Sequence, residues 1–201
     1  FSAVTDPVGA GLLENFSVPE GNITGVSDAI DVESIFSLAD ELTPGIETYG
    51  LIYNKSEDNS VSVIQQVKEY LESQNIGYVE KTVGNSSEVQ LVTKVLLEDC
   101  DGMFVPIDNT VASAMSVLAE EAKKMKVPVY TAADSLVQDG GLATVGVNYT
   151  ELGKRTADMT LEVLQGAEIS SLPVQVMEEG RPVVNEDTAK EIGVSVEKYI
   201  D

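Results

Sequence analysis

The sequence predicts an α/β fold: a doubly wound, mainly parallel sheet with helices between its strands. Three observations predict it. Short apolar, β-branched runs recur at 48–53, 76–79, 102–106, 127–130 and 142–146. The first three intervals between them are helix-length and helical in period, so each crossover joins parallel neighbours in the right-handed sense. The composition is that of a folded chain: 201 residues, 43% hydrophobic and 23% charged, enough to bury a core without covalent staples.

Each element has its own local reason. Ahead of residue 48 lie a strand-like run at 1–5, a Gly/Pro-rich stretch from 7 to 25 and a helix at about 32–42. After the run at 48–53, Val61, Ile64 and Leu71 form an apolar stripe with Val67 between them and Lys68 at its margin. Ser87 and Gln90 have the spacing of a capping box ahead of Leu91, Val95 and Leu96. The next helix is expected from about 111 to 126. It stops at Pro128, with Lys123, Lys124 and Lys126 at the end that the macrodipole favours for cations. Asn148 and Glu151 open another helix that closes near Gly166. Then follow a strand at 172–177, a turn at 180–182 and a short helix at about 187–192.

Composition excludes several chemistries. There is no histidine and one cysteine, Cys100, so Ser-His-Asp and Cys-His catalysis, His-based zinc sites and internal disulfides are out. Cys100 has no basic neighbour and reads as an inert thiol. The balance of 12 Lys+Arg against 34 Asp+Glu, net −22, repels phosphate backbones and anionic lipid, which argues against nucleic-acid binding. Gly9-Ala-Gly11 and Gly140-Gly141 lack the spacing of nucleotide-binding loops, and nothing calls for a cofactor or metal. The carboxylates Glu98, Asp99 and Asp101 read as a solvated turn. The chain opens without a basic segment followed by an apolar one, as a mature form, a cytoplasmic protein or a fragment would.

In an open parallel sheet, ligands bind beyond the carboxyl ends of the strands. Thr5 and Asp6 fall there after the first run, and Tyr53, Asn54, Asn59 and Ser60 after the second. Asp108, Asn109 and Thr110 follow the run at 102–106; Asp134 follows 127–130, and Asn148 and Tyr149 follow 142–146. These hydrogen-bonding types suit a small polar or zwitterionic ligand. Asn59 and Ser60 open a helix whose free N–H groups could hold a carboxylate, Asp108 could pair with an ammonium, and the two tyrosines offer aromatic faces. Helix capping explains the same residue types one at a time. The convergence of several loops on one edge is what carries the functional reading.

The runs Thr5-Asp6-Pro7-Val8, Gly21-Asn22-Ile23-Thr24-Gly25-Val26-Ser27-Asp28 and Leu51-Ile52-Tyr53-Asn54 with Asn59-Ser60 stand in order along the chain. Val105-Pro106-Ile107-Asp108-Asn109-Thr110-Val111, Gly146-Val147-Asn148-Tyr149-Thr150-Glu151-Leu152-Gly153 and Val183-Val184-Asn185, with Ala189-Lys190-Glu191-Ile192-Gly193, continue the series. Together they resemble the substrate-binding proteins of ABC transporters in the tryptophan/tyrosine-type branch. The resemblance implies a two-lobed receptor of the type I periplasmic-binding fold that traps an amino acid, tryptophan- or tyrosine-like, between lobes by hinge closure. It also implies an ABC permease as partner, no enzymatic activity, and an extracellular or periplasmic location, lipid-anchored in the full-length protein. Carried over by position, the ligand loops are the ones chosen above from strand ends. Relatives of this kind carry about a hundred residues ahead of the segment matched by residues 1–6. The expected organisation is therefore a first-lobe remnant and crossover at 1–27, a second α/β lobe at 28–178 and a C-terminal hinge and return segment at 179–201. The run at 1–5 would then leave an exposed sheet edge, expected either to rearrange onto the intact lobe or to pair with a second copy in a homodimer. The same fold also serves as the effector-binding core of repressors and as sugar receptors, which are the alternative readings.

Overall fold

The computed structural model describes residues 1–17, 21–177 and 180–200. Residues 18–20 of the Gly/Pro-rich stretch and the expected boundary at 178/179 lie outside the described residues. In chain order the elements begin with β1 (Val26–Ser27), α1 (Val32–Leu42), β2 (Thr48–Tyr53), α2 (Asp58–Ser73) and β3 (Gly77–Thr82). They continue with α3 (Val89–Leu96), β4 (Gly102–Val105), α4 (Asn109–Ala112), α5 (Met115–Met125), β5 (Val129–Thr131) and α6 (Asp134–Gln138). The last are β6 (Ala143–Val145), α7 (Tyr149–Leu164), β7 (Gln175–Val176), β8 (Pro182–Val184) and α8 (Glu186–Ile192).

Two compact units divide the chain: Phe1–Ile30 with Val147–Gly180, and Asp31–Gly146 with Arg181–Asp201. The smaller unit is discontinuous in sequence. The reason is pairing: β7 lies parallel to β1, with Val26 opposite Gln175, so residues 147–177 join the N-terminal segment.

The larger unit holds a sheet of order β3-β2-β4-β5-β6-β8. All its pairs are parallel except β6–β8. This is the doubly wound, mainly parallel sheet that the strand–helix alternation predicts. β2 and β4 are central and almost wholly buried, which is why they read as continuous apolar runs rather than alternating ones. Leu51, Ile52, Met103, Phe104 and Tyr130 are fully buried. Phe36 on α1 packs between β2 and β4, 4.9 Å from the Tyr49 ring edge-on and 5.5 Å from Phe104.

Several local expectations shift. On α2 the buried stripe is Ser60, Val63, Ile64, Val67 and Leu71, while Val61 is 40% exposed. α3 follows a short 3-10 turn capped by Asn85, whose Oδ1 accepts from the Ser87 N–H, rather than a Ser87–Gln90 box. Its buried face is Val89, Thr93 and Leu96, and Leu91 is 69% exposed. The helix expected at 111–126 is broken at residues 113–114 into α4 and α5, and Lys126 in the left-handed region ends α5 before Pro128. Residues 182–184, expected to begin in a turn, form the antiparallel edge strand β8, where a proline lacking an N–H is tolerated.

In the smaller unit, β1 and β7 form a two-stranded parallel sheet, and α7 packs on it through Leu152 beside Val26 and Val147. The run at 1–5 is not a strand; Ser2 makes an isolated parallel bridge to Val26. Ala3 at φ 52° breaks the extension on either side of it. The bridge needs Gly25, because a Cβ there would stand 2.1 Å from the Phe1 carbonyl oxygen.

Candidate functional site

In the larger unit the sheet reverses direction of winding at β2, which has β3 on one side and β4 on the other. A crevice outside the carboxyl ends of strands at such a point is where doubly wound folds hold ligands. The loops there are 54–57 after β2 and 106–108 after β4; together with the strand end and helix starts that flank them they carry seven of the twelve residues selected from sequence, Tyr53, Asn54, Asn59, Ser60, Asp108, Asn109 and Thr110.

The structure stitches these two loops together. Asp108 is 1% exposed. Its Oδ1 accepts from the Val111 N–H at 2.8 Å, capping α4, and its Oδ2 accepts from the Asn54 N–H at 2.7 Å. Each oxygen thus accepts from a backbone donor, so within this unit Asp108 fastens the two loops to each other. Asn54 donates from Nδ2 to Thr110 Oγ1 at 2.8 Å and accepts from the Ser56 N–H at 2.9 Å. Asn59 Nδ2 and the buried Ser60 hydroxyl both donate to the Ile107 carbonyl, at 2.6 and 3.3 Å. Tyr53 is buried to 7% exposure and its hydroxyl donates to Glu80 at 2.5 Å. Burial first, then that bond, pushes its pKa up to about 12, so the phenol stays neutral and works as a donor.

Glu57 completes the junction. Its Oε2 accepts from the Asn109 N–H and Nδ2 at 2.8 and 2.7 Å, and its Oε1 from the Thr110 N–H and Oγ1 at 3.0 and 2.8 Å. One carboxylate therefore holds the first turn of α4 from another loop. Burial works to raise its pKa, but the bonds from Asn109 and Thr110 outweigh it and hold the carboxyl below the ordinary value of 4.5. A depressed carboxyl gives stability that is fully present above its unfolded-state pKa and is lost as pH falls through the folded one. The Glu57→Gln variant is accordingly expected to lose less stability than the parent on acidification below about pH 4.5. Urea midpoints measured down the acid range check this, and parallel acid profiles for the two proteins would contradict it.

Lys55, Ser56, Asp58 and Asn109 are exposed along this edge, and Asn59, Thr110 and Glu57 partly so. Asp134 stands half-buried at the start of α6, where Oδ1 accepts from the Ser135 N–H at 2.8 Å.

The remaining selected residues lie in the smaller unit. Thr5 Oγ1 and the Tyr149 hydroxyl each donate to Asp28, at 3.0 Å to its two oxygens, and Asp28 is 3% exposed. Asp6 accepts from the Gly9 N–H at 2.7 Å, and Asn148 caps α7 through the Glu151 N–H at 3.0 Å. Asp28 is not among the residues selected from sequence, and for Glu57 the strand-end rule gives the position but not the partners. Asp28 follows β1 as Thr5 follows the run at 1–5, so the strand-end rule reaches it; Glu57 lies on a selected loop, but its partners are some 50 residues on. Among the described residues, no group of three or more His, Cys, Asp or Glu side chains is placed to hold a metal ion. Cys100 is buried, and burial followed by the Asp101 charge pushes its thiol up to about 11.

A family model described as ABC transporter substrate binding protein matches residues 1–200. A tyrosine-binding protein of Clostridioides difficile is 35% identical over 189 residues, 94% of this chain and 55% of the relative. A Streptococcus pneumoniae ABC domain solved in complex with L-Trp is 35% identical at a TM-score of 0.90, over 97% of this chain and 66% of that one. The ligand-free, open form of a Clostridium difficile substrate-binding protein with adhesive properties is also 35% identical, at a TM-score of 0.82 over 99% and 68%. The chain spans about half the length of the tyrosine-binding relative.

Proposed function

The chain belongs to the family of ABC transporter substrate-binding proteins, and from that premise we propose that it serves a receptor for a free aromatic amino acid, delivered to an ABC permease for uptake. The family is one of solute receptors rather than enzymes. The observation that carries the proposal is the stitched edge at the switch point. Ligand recognition by fixed dipoles needs loops that do not reorganise on binding. The Glu57, Asp108, Asn54 and Thr110 network supplies that rigidity.

On this reading the inner residues Asp108, Ser60 and Tyr53 hold the loops, and Asn109, Thr110, Asn59 and Asp134 are the groups within reach of a ligand. The aromatic class is supported by the relatives named for tyrosine and solved with L-Trp. The receptor would work outside the cytoplasmic membrane, as its family does. Among the described residues no helix is long and apolar enough to cross one.

A thermal-shift series tests the ligand class, because a ligand that binds the native state raises the melting temperature with its concentration. L-Trp and L-Tyr are expected to raise it, and L-Ala, glucose and arabinose to leave it unchanged. A rise with a sugar and none with the aromatic amino acids would replace this reading with the sugar-receptor one.

A further inference from the structure

Within the larger unit, the end of β2 opposite the stitched loops forms part of a pocket. It has a volume of ≈ 320 Å³ and is enclosed by the start of β2 and the carboxyl-terminal parts of α1 and α2. Its aromatic wall is Phe36, Tyr49 and Tyr70, with Phe36 meeting Tyr49 edge-on and stacking on Tyr70 at 5.3 Å. Ser37, Asp40 and Thr43 bring polar groups to it.

Three features of this pocket select a cation. Tyr49 is 3% exposed, yet its hydroxyl has no hydrogen-bond partner among the described residues. A buried phenol oxygen is ordinarily paired, so one left open to a pocket marks a place for a ligand donor. Asp40 has no ion-pair partner among the described residues, whereas its neighbour Glu41 is taken by Lys198 at 2.5 Å. The Asp40 charge acts on both Tyr49 and Tyr70, the wall residues. Finally, neither α1 nor α2, which both end here, carries a basic residue of its own in the last turn. Aromatic faces, an unpaired carboxylate and two helix carboxyl ends all favour positive charge.

We propose that this pocket is a second ligand site, distinct from the amino-acid edge, that takes a small organic monocation: a primary alkyl- or arylalkylammonium without a carboxylate. The carboxylate of an amino acid would meet Asp40 and the helix ends with the wrong sign, so the pocket discriminates amines from amino acids. The phenethylammonium ion is a suitable probe, with 2-phenylethanol as its neutral counterpart and L-Phe as the carboxylate-bearing one.

The experiment is a titration followed by the ring resonances of ¹³C-labelled tyrosine. Phenethylammonium is expected to shift Tyr49 and Tyr70 saturably, and 2-phenylethanol and L-Phe are not. Asp40→Asn, at an exposed position, is expected to weaken binding by about tenfold, whereas Glu98→Gln, which removes an equal charge elsewhere, leaves it unchanged. Tyr49→Phe keeps the ring and is expected to weaken binding as well. Equal binding of the neutral alcohol, an unchanged affinity in Asp40→Asn, shifts confined to Tyr53 or Tyr149, or no saturation at millimolar probe would each overturn the proposal. Because L-Trp and L-Tyr are read at the other edge, failure here leaves the amino-acid reading to its own test.

Discussion

Replacing Asp108 by alanine is expected to destabilise the protein by about 2–4 kcal/mol, with little of the effect coming from a lost ligand contact. The carboxylate is 1% exposed and bridges two backbone donors, the Val111 N–H at the start of α4 and the Asn54 N–H at the end of β2. Removing an N-cap costs about 1 kcal/mol, and each buried donor left without a partner costs about 1–3 kcal/mol. Water entering the space left by the side chain would satisfy part of this, which sets the lower end. Urea unfolding reads it as a fall in midpoint at constant slope. Were Asp108 instead a ligand group, the midpoint would hold and only affinity for an amine-bearing ligand would fall.

Phe104→Ala is expected to cost more, about 3–5 kcal/mol, the range for emptying a buried aromatic site. Phe104 is fully buried in β4, between β2 and β5, and its ring lies 5.5 Å from Phe36. Backbone pairing on both sides, to Leu51 and to Tyr130, holds the position, so the void cannot close by strand movement. At stabilities ordinary for a chain of this kind, that loss consumes a large part of the total. A change below about 1 kcal/mol would mean that the site relaxes and that the core is less tightly packed than its burial implies.

The parallel sheet was legible because it rests on a repeated pattern: five apolar runs, the first four of them separated by helix-length intervals, account for β2 to β6. Helix existence was legible for the same reason, but helix faces were less so. Val61, Leu91 and Val95 are apolar residues at helical spacing that face outward. Which stripe is buried depends on the phase set by the helix start, and for α3 the start is displaced by the preceding 3-10 turn. β8 was hidden because Pro182 reads as a turn residue until the edge position that excuses it is known. The strand-end rule picked out this edge as the candidate site, but not how its residues bond to one another. Asp108 and Asn148 are caps, as their residue types alone allow. Glu57 satisfies a helix start from another loop, a contact no local pattern encodes.

The carboxyl edge of the six-stranded sheet, at the β2/β4 switch point, is the proposed seat of the aromatic amino acid. Backbone amide shifts recorded while L-Trp is titrated into ¹⁵N-labelled protein test it most directly. Saturable shifts are expected at residues 54–60 and 107–111, with residues 36–49 at the opposite end of the sheet quiet. Binding that moves the opposite end and leaves 54–60 and 107–111 unperturbed would contradict it.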